Sequence, residues 1–372
     1  MTELTSYQFD FGLQAAASGY TKVSPETLYT QELGYGFTAG STVYGRSRGG
    51  VDPLRNDFCI PHKAVFLADI PDGVYRISLL LGDLIADTST VIRAGEGKFV
   101  LDTLNVPSGQ FLRDGFSLCI RSGQLRLSFS GAAPRINALE IVPDLEGLTV
   151  FVAGDSTVTD QPEDGYPYAG WGQMLPGFFK PGVAVDNRAL SGRSTRSFIH
   201  EGLFSGIMAD IRPRDYLFIQ FGHNDSKVDE ARHTEPFTTY KENLLTMITE
   251  ARSAGAIPVL VTSMHRRNFD ADGVIRDSHG DYPVAMRELA AAEQVPLIDL
   301  HEKSRRLFEA YGPEGSKDLF MWSYPGEFIQ HPAGVQDNTH FQILGGRLLA
   351  ELVVEGIREA GLHDLVIYLR QG

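Results

Sequence analysis

The chain has 372 residues, a length that predicts two domains at roughly 150 residues each. Its 33 basic and 47 acidic residues give a formal net charge of −14, which argues against duplex DNA and anionic lipid surfaces as partners. A hydrophobic share of 42% and a charged share of 22% are typical of globular proteins and exclude a disordered or fibrous chain. Since no apolar run approaches the roughly 18 residues of a membrane span, we predict neither a nucleic-acid nor a membrane partner. The oligomeric state stays open.

The N-terminal residues and the cysteines bear on the compartment. The stretch MTELTSYQFDFG has no basic segment, no continuous apolar segment and no small-residue cleavage site, so no secretory signal is predicted. We expect a cytoplasmic protein, with a secreted form whose signal has been removed as the alternative.

Cys59 and Cys119 each lie between apolar residues, which favours two buried thiols on strands over a disulfide or a zinc site. No metal and no other cofactor is predicted.

The first 145 residues are rich in glycine, serine, threonine and aspartate, and their apolar residues come in short bursts. Within each burst apolar and polar residues alternate, which is typical of half-buried antiparallel strands. The clearest bursts are residues 74–79, 91–93, 125–129 and 136–141. We predict an all-β sandwich over residues 1–145.

From residue 148 the pattern changes to short apolar runs without alternation, typical of parallel strands that are buried on both faces. Helical stretches separate the runs, and residues 238–254 show apolar residues at helical spacing before a terminating Gly255. The predicted strands are residues 148–153, 183–185, 216–221, 257–262 and 296–300, and further helices cover residues 282–293 and 341–360. This alternation predicts a doubly wound α/β domain with a five-stranded parallel sheet over residues 146–372.

Polar segments follow the ends of the first three of these strands and precede the last helix. They are residues 154–157 (GDST), 187–194 (NRALSGRS), 222–225 (GHND) and 337–340 (DNTH). Active sites of open parallel sheets lie beyond the carboxyl ends of the strands. We therefore expect these four segments, which are far apart in the sequence, to meet at one rim.

The segments contain the parts that acyl transfer needs. Ser156 is the candidate nucleophile and His340 the candidate base. Asp337 lies three residues before His340, close enough on a tight turn or helical start to orient the imidazole. Gly192 can present its backbone N–H to an oxyanion, and Asn224 can offer its side-chain amide.

Each segment alone has a simpler reading. A Gly-Asp-Ser after a strand is usually only a turn, and an aspartate three residues before one of ten histidines is a weak signal. Residues 222–225 would serve equally as a connection in which Asn224 or Asp225 caps a helix. The joint occurrence of all four segments on the rim of one sheet favours a site.

Together the segments resemble the motif blocks of the SGNH (GDSL-type) hydrolases, and residues 148–360 are similar to the rhamnogalacturonan acetylesterases, a family of carbohydrate esterases. The resemblance implies a flavodoxin-like fold, Ser156, Asp337 and His340 as a catalytic triad, and Ser156, Gly192 and Asn224 as oxyanion-hole donors. The serine is followed by Thr157 rather than by the x-Gly of the α/β-hydrolase elbow, which counts against that rival fold. The matching stretches are residues 154–157, 170–172, 192–198, 221–225, 266–267, 295–300, 316–320 and 337–341.

The N-terminal region is similar to the galactose-binding-like sandwiches attached to some carbohydrate enzymes, chiefly through residues 135–141 (RINALEI). Such a domain either binds sugar or packs on the catalytic domain and shapes its cleft. We favour the structural role, because no platform of aromatic residues is readable in this region.

The substrate that the resemblance implies is anionic, because rhamnogalacturonan carries galacturonate. A chain of charge −14 repels such a polymer at long range, so local cations have to compensate. The candidates are Arg193 and Arg196 after the Gly192 segment, and Arg266 and Arg267 after the fourth strand; pairing with acids such as Asp225 or Asp270 is the alternative. In a loop over residues 321–336, Trp322 is the candidate sugar-binding aromatic.

These expectations combine into one function. The sequence predicts a serine esterase that removes O-acetyl groups from pectic rhamnogalacturonan fragments through an acyl-enzyme, without metal or cofactor. Its partner is then an acetylated oligosaccharide or polysaccharide. The alternatives are an esterase for acetylated xylan or another glycan, and a carbohydrate-binding protein with a vestigial hydrolase domain.

Overall fold

The structure, a computed structural model, describes residues 5–371, and these form two compact units. The first unit extends to Gly147 and also includes Phe179–Ala184; the second consists of Leu148–Phe178 and the chain from Val185 onwards. We keep residues 1–145 and 146–372 as a proposal for the domains, since contacts divide the chain two residues later and assign one short segment differently.

The first unit is a β-sandwich of antiparallel strands with one parallel pair. One sheet has the strand order β10-β7-β12-β1-β2 and the other β3-β6-β11-β8-β9, while β4 and β5 form a separate pair. Only β1 and β2 among the registered pairs of this unit run parallel. In chain order, β1 to β12 are Tyr7–Phe11, Thr21–Val23, Tyr35–Phe37, Thr42–Ser47, Asp57–His62, Ala64–Asp69, Gly73–Gly82, Thr88–Ala94, Lys98–Val106, Phe111–Ile120, Gln124–Ala133 and Ala138–Pro143.

The predicted alternation is visible in the burial of these strands. In β8 every second residue is buried, and β11 alternates in the same way over its first seven residues. The inward residues of both sheets share one core, in which Phe9, Phe11, Phe37 and Phe66 meet edge-on at ring-centroid distances of 5.1–6.0 Å. Both cysteines are free thiols on strands, Cys59 buried and Cys119 half-buried.

The second unit is an α/β fold around a five-stranded sheet with the order β15-β13-β16-β17-β18. The registered neighbours β13, β16, β17 and β18 all pair in parallel. Every residue of β13 is buried, as its continuous apolar run predicts. In chain order, β13 to β20 are Leu148–Ala153, Tyr168–Ala169, Val183–Asn187, Tyr216–Ile219, Ile257–Val261, Leu297–Ile298, Phe320–Ser323 and Val335–Gln342.

The three predicted helices of the second unit are present: residues 282–293 as predicted, residues 238–254 as Lys241–Ser253, and residues 341–360 as Ile343–Glu359 because residues 341–342 belong to a strand. The buried residues of Lys241–Ser253 (α4) recur at helical spacing, and the helix is followed by Gly255, whose φ of +77° other residues rarely adopt. In chain order, α1 to α8 are Trp171–Met174, Thr195–His200, Leu203–Asp210, Lys241–Ser253, Tyr282–Glu293, Leu300–Gly315, Ile343–Glu359 and His363–Val366. Short 3-10 turns cover Glu163–Gly165, Leu175–Phe178 and Ser316–Asp318, and a π turn at Pro236–Tyr240 precedes α4. Within residues 5–371, none of the helices combines the length and apolarity needed to cross a membrane.

A small antiparallel sheet with the order β14-β20-β19 accompanies the large one. Its ladder is irregular: Phe341 pairs with Phe320 and Gln336 with Trp322, so five steps along β20 oppose two steps along β19. Residues 337–340 therefore bulge out of the ladder. The loop predicted over residues 321–336 is shorter, since strands occupy both of its ends and leave residues 324–334 between them.

Candidate active site

Three of the predicted site residues form one hydrogen-bonded series. The Oγ atom of Ser156 lies 2.8 Å from Nε2 of His340, and Nδ1 of the same ring lies 2.7 Å from Oδ2 of Asp337. If Nδ1 carries the ring proton and donates it to the carboxylate, the lone pair of Nε2 faces the serine hydroxyl. The arrangement can accept a proton from Ser156 and hold the resulting imidazolium next to a negative charge.

Ser156 occupies a tight turn directly beyond β13. The turn is fixed by the buried carboxylate of Asp155, whose Oδ1 accepts hydrogen bonds from the backbone N–H and the hydroxyl of Thr157 at 2.9 and 2.7 Å. Burial raises the pKa of Asp155 to about 6, against these hydrogen bonds. The side-chain amide of Gln161 donates to the carbonyl of Ser156 at 2.7 Å and holds the turn from the other side. The backbone of the serine is thus held on both sides.

Asp337 and His340 lie in the bulge of β20, not on the tight turn or helical start that the sequence suggested. There the Oδ1 atom of Asp337 accepts the backbone N–H groups of Thr339 and His340, at 2.7 and 3.1 Å. Burial acts to raise the pKa of Asp337, but the hydrogen bond and charge of His340, together with these two donors, lower it overall. The carboxylate therefore stays ionised and keeps its second oxygen for the imidazole.

Tyr168 on β14 packs beside this pair. Its ring centroid lies 5.9 Å from that of His340, in an edge-on arrangement. Burial raises the pKa of Tyr168, and the neighbouring Asp337 raises it further. The tyrosine thus remains a neutral phenol that covers one side of the imidazole.

The two predicted oxyanion donors belong to segments that are tied together. The side-chain amide of Asn224 donates to the carbonyl of Arg193 at 3.1 Å, and the N–H of Leu190 donates to the carbonyl of Gly154 at 3.0 Å. These bonds link the segments that follow β13, β15 and β16. Gly192 has a φ of +82°, and no atom lies within 4 Å of the position that a Cβ would take, so the space beside it is open.

The buried carboxylate of Asp225, which the sequence suggested only as a helix cap or an arginine partner, holds the Asn224 segment. Oδ1 of Asp225 accepts the backbone N–H and hydroxyl of Thr195 at 3.1 and 2.6 Å, and the hydroxyl of Thr234 at 3.1 Å. Burial raises the pKa of Asp225 to about 7 in spite of these donors. The only available signal was its place in the GHND motif. Gln161 and Tyr168, which the sequence analysis also left out, have no distinctive spacing from the motifs.

The four predicted arginines lie in different surroundings. Arg193 pairs with Glu201 at 2.6 Å rather than with Asp225 or Asp270. Within residues 5–371, no hydrogen bond or ion pair of the Arg196 guanidinium is found, and the side chain is half-buried on α2. Arg266 donates to the carbonyls of Ser278 and His223, each at 3.1 Å, so its donors serve the protein.

Arg267 and Trp322 form one assembly. The guanidinium lies 4.8 Å from the indole centroid, and both side chains donate to Oδ1 of Asn338, at 3.1 and 2.9 Å. Trp322 lines a pocket of about 880 Å³ beside the β19–β20 hairpin, together with Tyr324 and Gln336. Since Asn338 directly follows Asp337, the pocket wall is attached to the bulge that carries the acid and the base.

Comparisons with known proteins match the two parts of the chain to two families. Residues 152–333 match the GDSL-like lipase/acylhydrolase family, and residues 7–141 match the beta-agarase/YXIM esterase-like, galactose-binding domain-like family. Rhamnogalacturonan acetylesterase RhgT of Bacillus subtilis is 49% identical over 215 residues, which cover 58% of this chain and 91% of RhgT. The chain belongs to the GDSL-like acylhydrolases. As a GDSL-like protein it is a carboxylic ester hydrolase, with a galactose-binding-like region before its hydrolase region.

Two further relatives cover different shares of this GDSL-like chain. The probable rhamnogalacturonan acetylesterase YesY of Bacillus subtilis is 42% identical over 57% of this chain and 94% of its own. The crystal structure of YxiM from the same organism is 29% identical, covers 96% of this chain and 99% of its own, and superposes with a TM-score of 0.53. YxiM, described as an uncharacterized esterase, therefore shares the order of both regions.

Proposed function

We propose that this protein is a serine esterase that removes O-acetyl groups from pectic rhamnogalacturonan fragments. The observation that carries the chemistry is the series from Ser156 through His340 to Asp337, with hydrogen bonds of 2.8 and 2.7 Å. The substrate class rests on the 49% identity with RhgT, which covers 91% of a rhamnogalacturonan acetylesterase.

In the proposed reaction, the Oγ atom of Ser156 attacks the acetyl carbonyl carbon while Nε2 of His340 takes the hydroxyl proton. Asp337 holds the imidazolium through Nδ1. His340 then gives the proton to the departing sugar oxygen, which leaves an acetyl group on Ser156. A water molecule attacks this ester, again losing its proton to His340, and acetate leaves as the serine hydroxyl is restored.

The negative charge of each tetrahedral intermediate falls on the former carbonyl oxygen. In our proposal it is stabilised by the backbone N–H groups of Ser156 and Gly192 and by the side-chain amide of Asn224. An amide group carries two N–H donors, so the bond from Asn224 to the Arg193 carbonyl leaves one for the oxyanion. One such donor contributes about 3–4 kcal/mol to transition-state stabilisation.

Of the four arginines, Arg196 is best suited to meet a galacturonate carboxylate. Arg266 and Arg267 donate to protein oxygens, and Arg193 is paired with Glu201. The pocket beside Trp322 is lined by one lysine and three acids, namely Lys317, Glu314, Asp318 and Glu327, so it suits a neutral sugar such as rhamnose better than galacturonate. An Arg196→Gln variant is therefore expected to raise KM for acidic oligomers and to leave KM for a neutral acetyl ester unchanged.

The decisive experiment measures acetate release by wild type and Ser156→Ala from acetylated rhamnogalacturonan oligomers, acetylated xylan and 4-nitrophenyl acetate. We expect wild type to prefer the first substrate and the variant to lose at least about 10⁴-fold in kcat on all three. Ser191→Ala, an exposed serine of the neighbouring segment, is the matched control and should keep full activity.

The possible failures are distinguishable. Full activity of Ser156→Ala would overturn the triad. A preference for xylan would keep the triad and replace the substrate. Absence of acetate release by folded wild-type protein from every substrate, with sugar binding retained, would favour a carbohydrate-binding protein with a vestigial hydrolase domain.

A further inference from the structure

Four potential metal ligands converge in the second unit, apart from the series around Ser156. They are His265, which follows β17, Asp277 and His279, which precede α5, and His301 in the first turn of α6. Each offers one ligand atom, and these atoms all lie within 4.8 Å of one another. The histidines are buried, while the Asp277 side chain is 43% exposed and leaves a path from solvent.

A hydrogen bond of the His301 ring leaves its other nitrogen without a proton. Nδ1 of His301 lies 2.9 Å from the carbonyl of Ser263 and must be the donor there, so Nε2 of the same ring is unprotonated in its neutral form. That bare nitrogen lies 3.4 Å from Oδ1 of Asp277. Two acceptors at this distance repel each other unless a cation or a proton lies between them.

The other two rings contribute buried nitrogens without hydrogen bonds. Nδ1 of His279 lies 3.7 Å from the same Asp277 oxygen, and neither this atom nor Nδ1 of His265 has a hydrogen-bond partner among residues 5–371. Both residues are only 2% exposed. Leaving a buried polar atom unpaired costs about 1–3 kcal/mol, so two in one place call for an explanation.

We propose that His265, Asp277, His279 and His301 bind one zinc ion. Three imidazole nitrogens and one carboxylate oxygen are ligands that zinc binds in tetrahedral geometry, with bonds of about 2.0–2.1 Å. Such bonds place neighbouring ligand atoms about 3.4 Å apart. The separations of 3.4 and 3.7 Å around Oδ1 of Asp277 fit that spacing. The four ligand atoms together lie within 4.8 Å, and the His265 ring stacks on that of His301, so binding requires the His265 ring to turn toward the ion.

The ion would be structural, because its ligands are not part of the series around Ser156. It would join three chain segments that are separated in sequence, those after β17, before α5 and at the start of α6. The second ring nitrogen of one ligand has a partner of its own: Nε2 of His279 lies 2.9 Å from Nδ1 of His223. A hydrogen bond from the nitrogen that does not bind the metal commonly fixes the orientation of a metal-bound imidazole.

The test uses the full chain after exhaustive dialysis against chelator, titrated with Zn²⁺ alone. We expect binding of one zinc per chain by calorimetry and elemental analysis, and a rise of about 5 °C or more in Tm on loading. Co²⁺ bound in its place should give the intense visible absorption of a tetrahedral site. Binding well below one equivalent, or no change in Tm at saturating zinc, would overturn the proposal.

His265→Phe is the most informative variant. The His265 ring stacks on that of His301 with centroids 3.7 Å apart, and phenylalanine preserves a flat ring there while removing the nitrogen. The proposal expects loss of zinc binding and of the zinc-dependent rise in Tm. Without a metal site, removing an unpaired buried nitrogen would leave the protein equally stable or more stable, with zinc binding unchanged.

Two more variants complete the design. His301→Gln removes a second ligand, so it gives the same comparison if His265→Phe fails to fold. His200→Gln removes an exposed histidine of the same unit and should keep one zinc per chain. Equal loss of zinc in His200→Gln would show non-specific binding and would overturn the assignment.

Discussion

At the scale of single residues, two buried aspartates adjoin the candidate nucleophile and the candidate oxyanion donor. Asp155 precedes Ser156 and Asp225 follows Asn224, and both have an Oδ2 atom that is buried without a hydrogen-bond partner within residues 5–371. Burial raises the pKa of both groups, to about 6 for Asp155 and about 7 for Asp225. These buried carboxyl groups lower the stability of the fold, and they hold the backbone rigid on either side of the reacting groups.

The substitution Asp225→Asn tests whether burial of this carboxyl group makes the stability of the protein depend on pH. Because the pKa of Asp225 is about 7 in the folded chain and about 3.9 in the unfolded chain, its protonated form stabilises the fold below about pH 4, and this contribution is lost as the pH rises through 7. The free energy of unfolding of wild type relative to Asp225→Asn should fall by a few kcal/mol between about pH 4 and pH 8. Urea denaturation at several pH values measures it, with the exposed Asp272→Asn as control for the loss of one carboxyl group. A difference that stays constant with pH would contradict the prediction.

The reacting residues could be predicted from the sequence, but the residues that hold them in place could not. Ser156, Asp337 and His340 stand out because each is the kind of group that acyl transfer needs and because predicted strands bring them to one rim. The bond from Gln161 to the Ser156 carbonyl could not be predicted, since a glutamine five residues on has no distinctive spacing. The histidine cluster was missed for a similar reason, because its members follow no metal-binding motif along the chain.

At the scale of elements, helix α7 is packed closely against Leu319, the residue between the 3-10 turn at Ser316–Asp318 and β19. A Cβ on Gly345 would overlap the carbonyl oxygen of Leu319, which also accepts the N–H of Gln342 at 3.0 Å. That hydrogen bond lies between His340 and the start of the helix. The absence of a side chain at Gly345 therefore sets the position of the base as well as the packing of α7.

Gly345→Ala is accordingly expected to destabilise the protein by several kcal/mol and to lower kcat, since Leu319 or α7 has to move. Gly206 in helix α3 is the matched control, because its nearest neighbour is a side-chain atom 4.0 Å away. Gly206→Ala should leave activity unchanged and stabilise by about 0.5–1 kcal/mol through the higher helix propensity of alanine. Chemical denaturation measures the stability of both variants, and steady-state kinetics measure their kcat. Equal effects of the two substitutions would contradict the prediction.

Regular elements were predictable and the bulge was not. The residues 148–153 and 282–293 form β13 and α5 as predicted, because burial on both faces or on one helical stripe leaves a periodic pattern. Residues 337–340 depart from any period. Their conformation depends on the local bonds of Asp337 to two backbone N–H groups and on a partner strand that lies fifteen or more residues earlier.

At the scale of the whole molecule, the net charge of −14 opposes an anionic substrate. This long-range repulsion is screened by salt, with a Debye length that falls from about 30 Å at 0.01 M to about 8 Å at 0.15 M. Raising the salt concentration over this range should lower KM for galacturonate-containing oligomers and leave kcat unchanged. KM for the uncharged 4-nitrophenyl acetate should not respond. Steady-state kinetics at both concentrations provide the measurement, and a rise in KM with salt would show that local cations dominate instead.

The division into a β unit and an α/β unit was predictable from the change of hydrophobic period near residue 148. The grouping of Phe179–Ala184 with the first unit was not, because a six-residue segment carries no signal of its tertiary contacts. Composition predicted the overall charge, but the partners of individual arginines depended on the packing around α2 and α6.

The hairpin of β19 and β20 has a consequence for redesign. The pair of Ser323 and Val335 lies between the loop of residues 324–334 and the bulge. The ladder that holds the bulge therefore does not depend on the sequence of that loop. Loops from related enzymes, of other lengths and sequences, can then be exchanged at these two residues as cassettes. New sugar preferences become accessible in this way while the acid and the base keep their places.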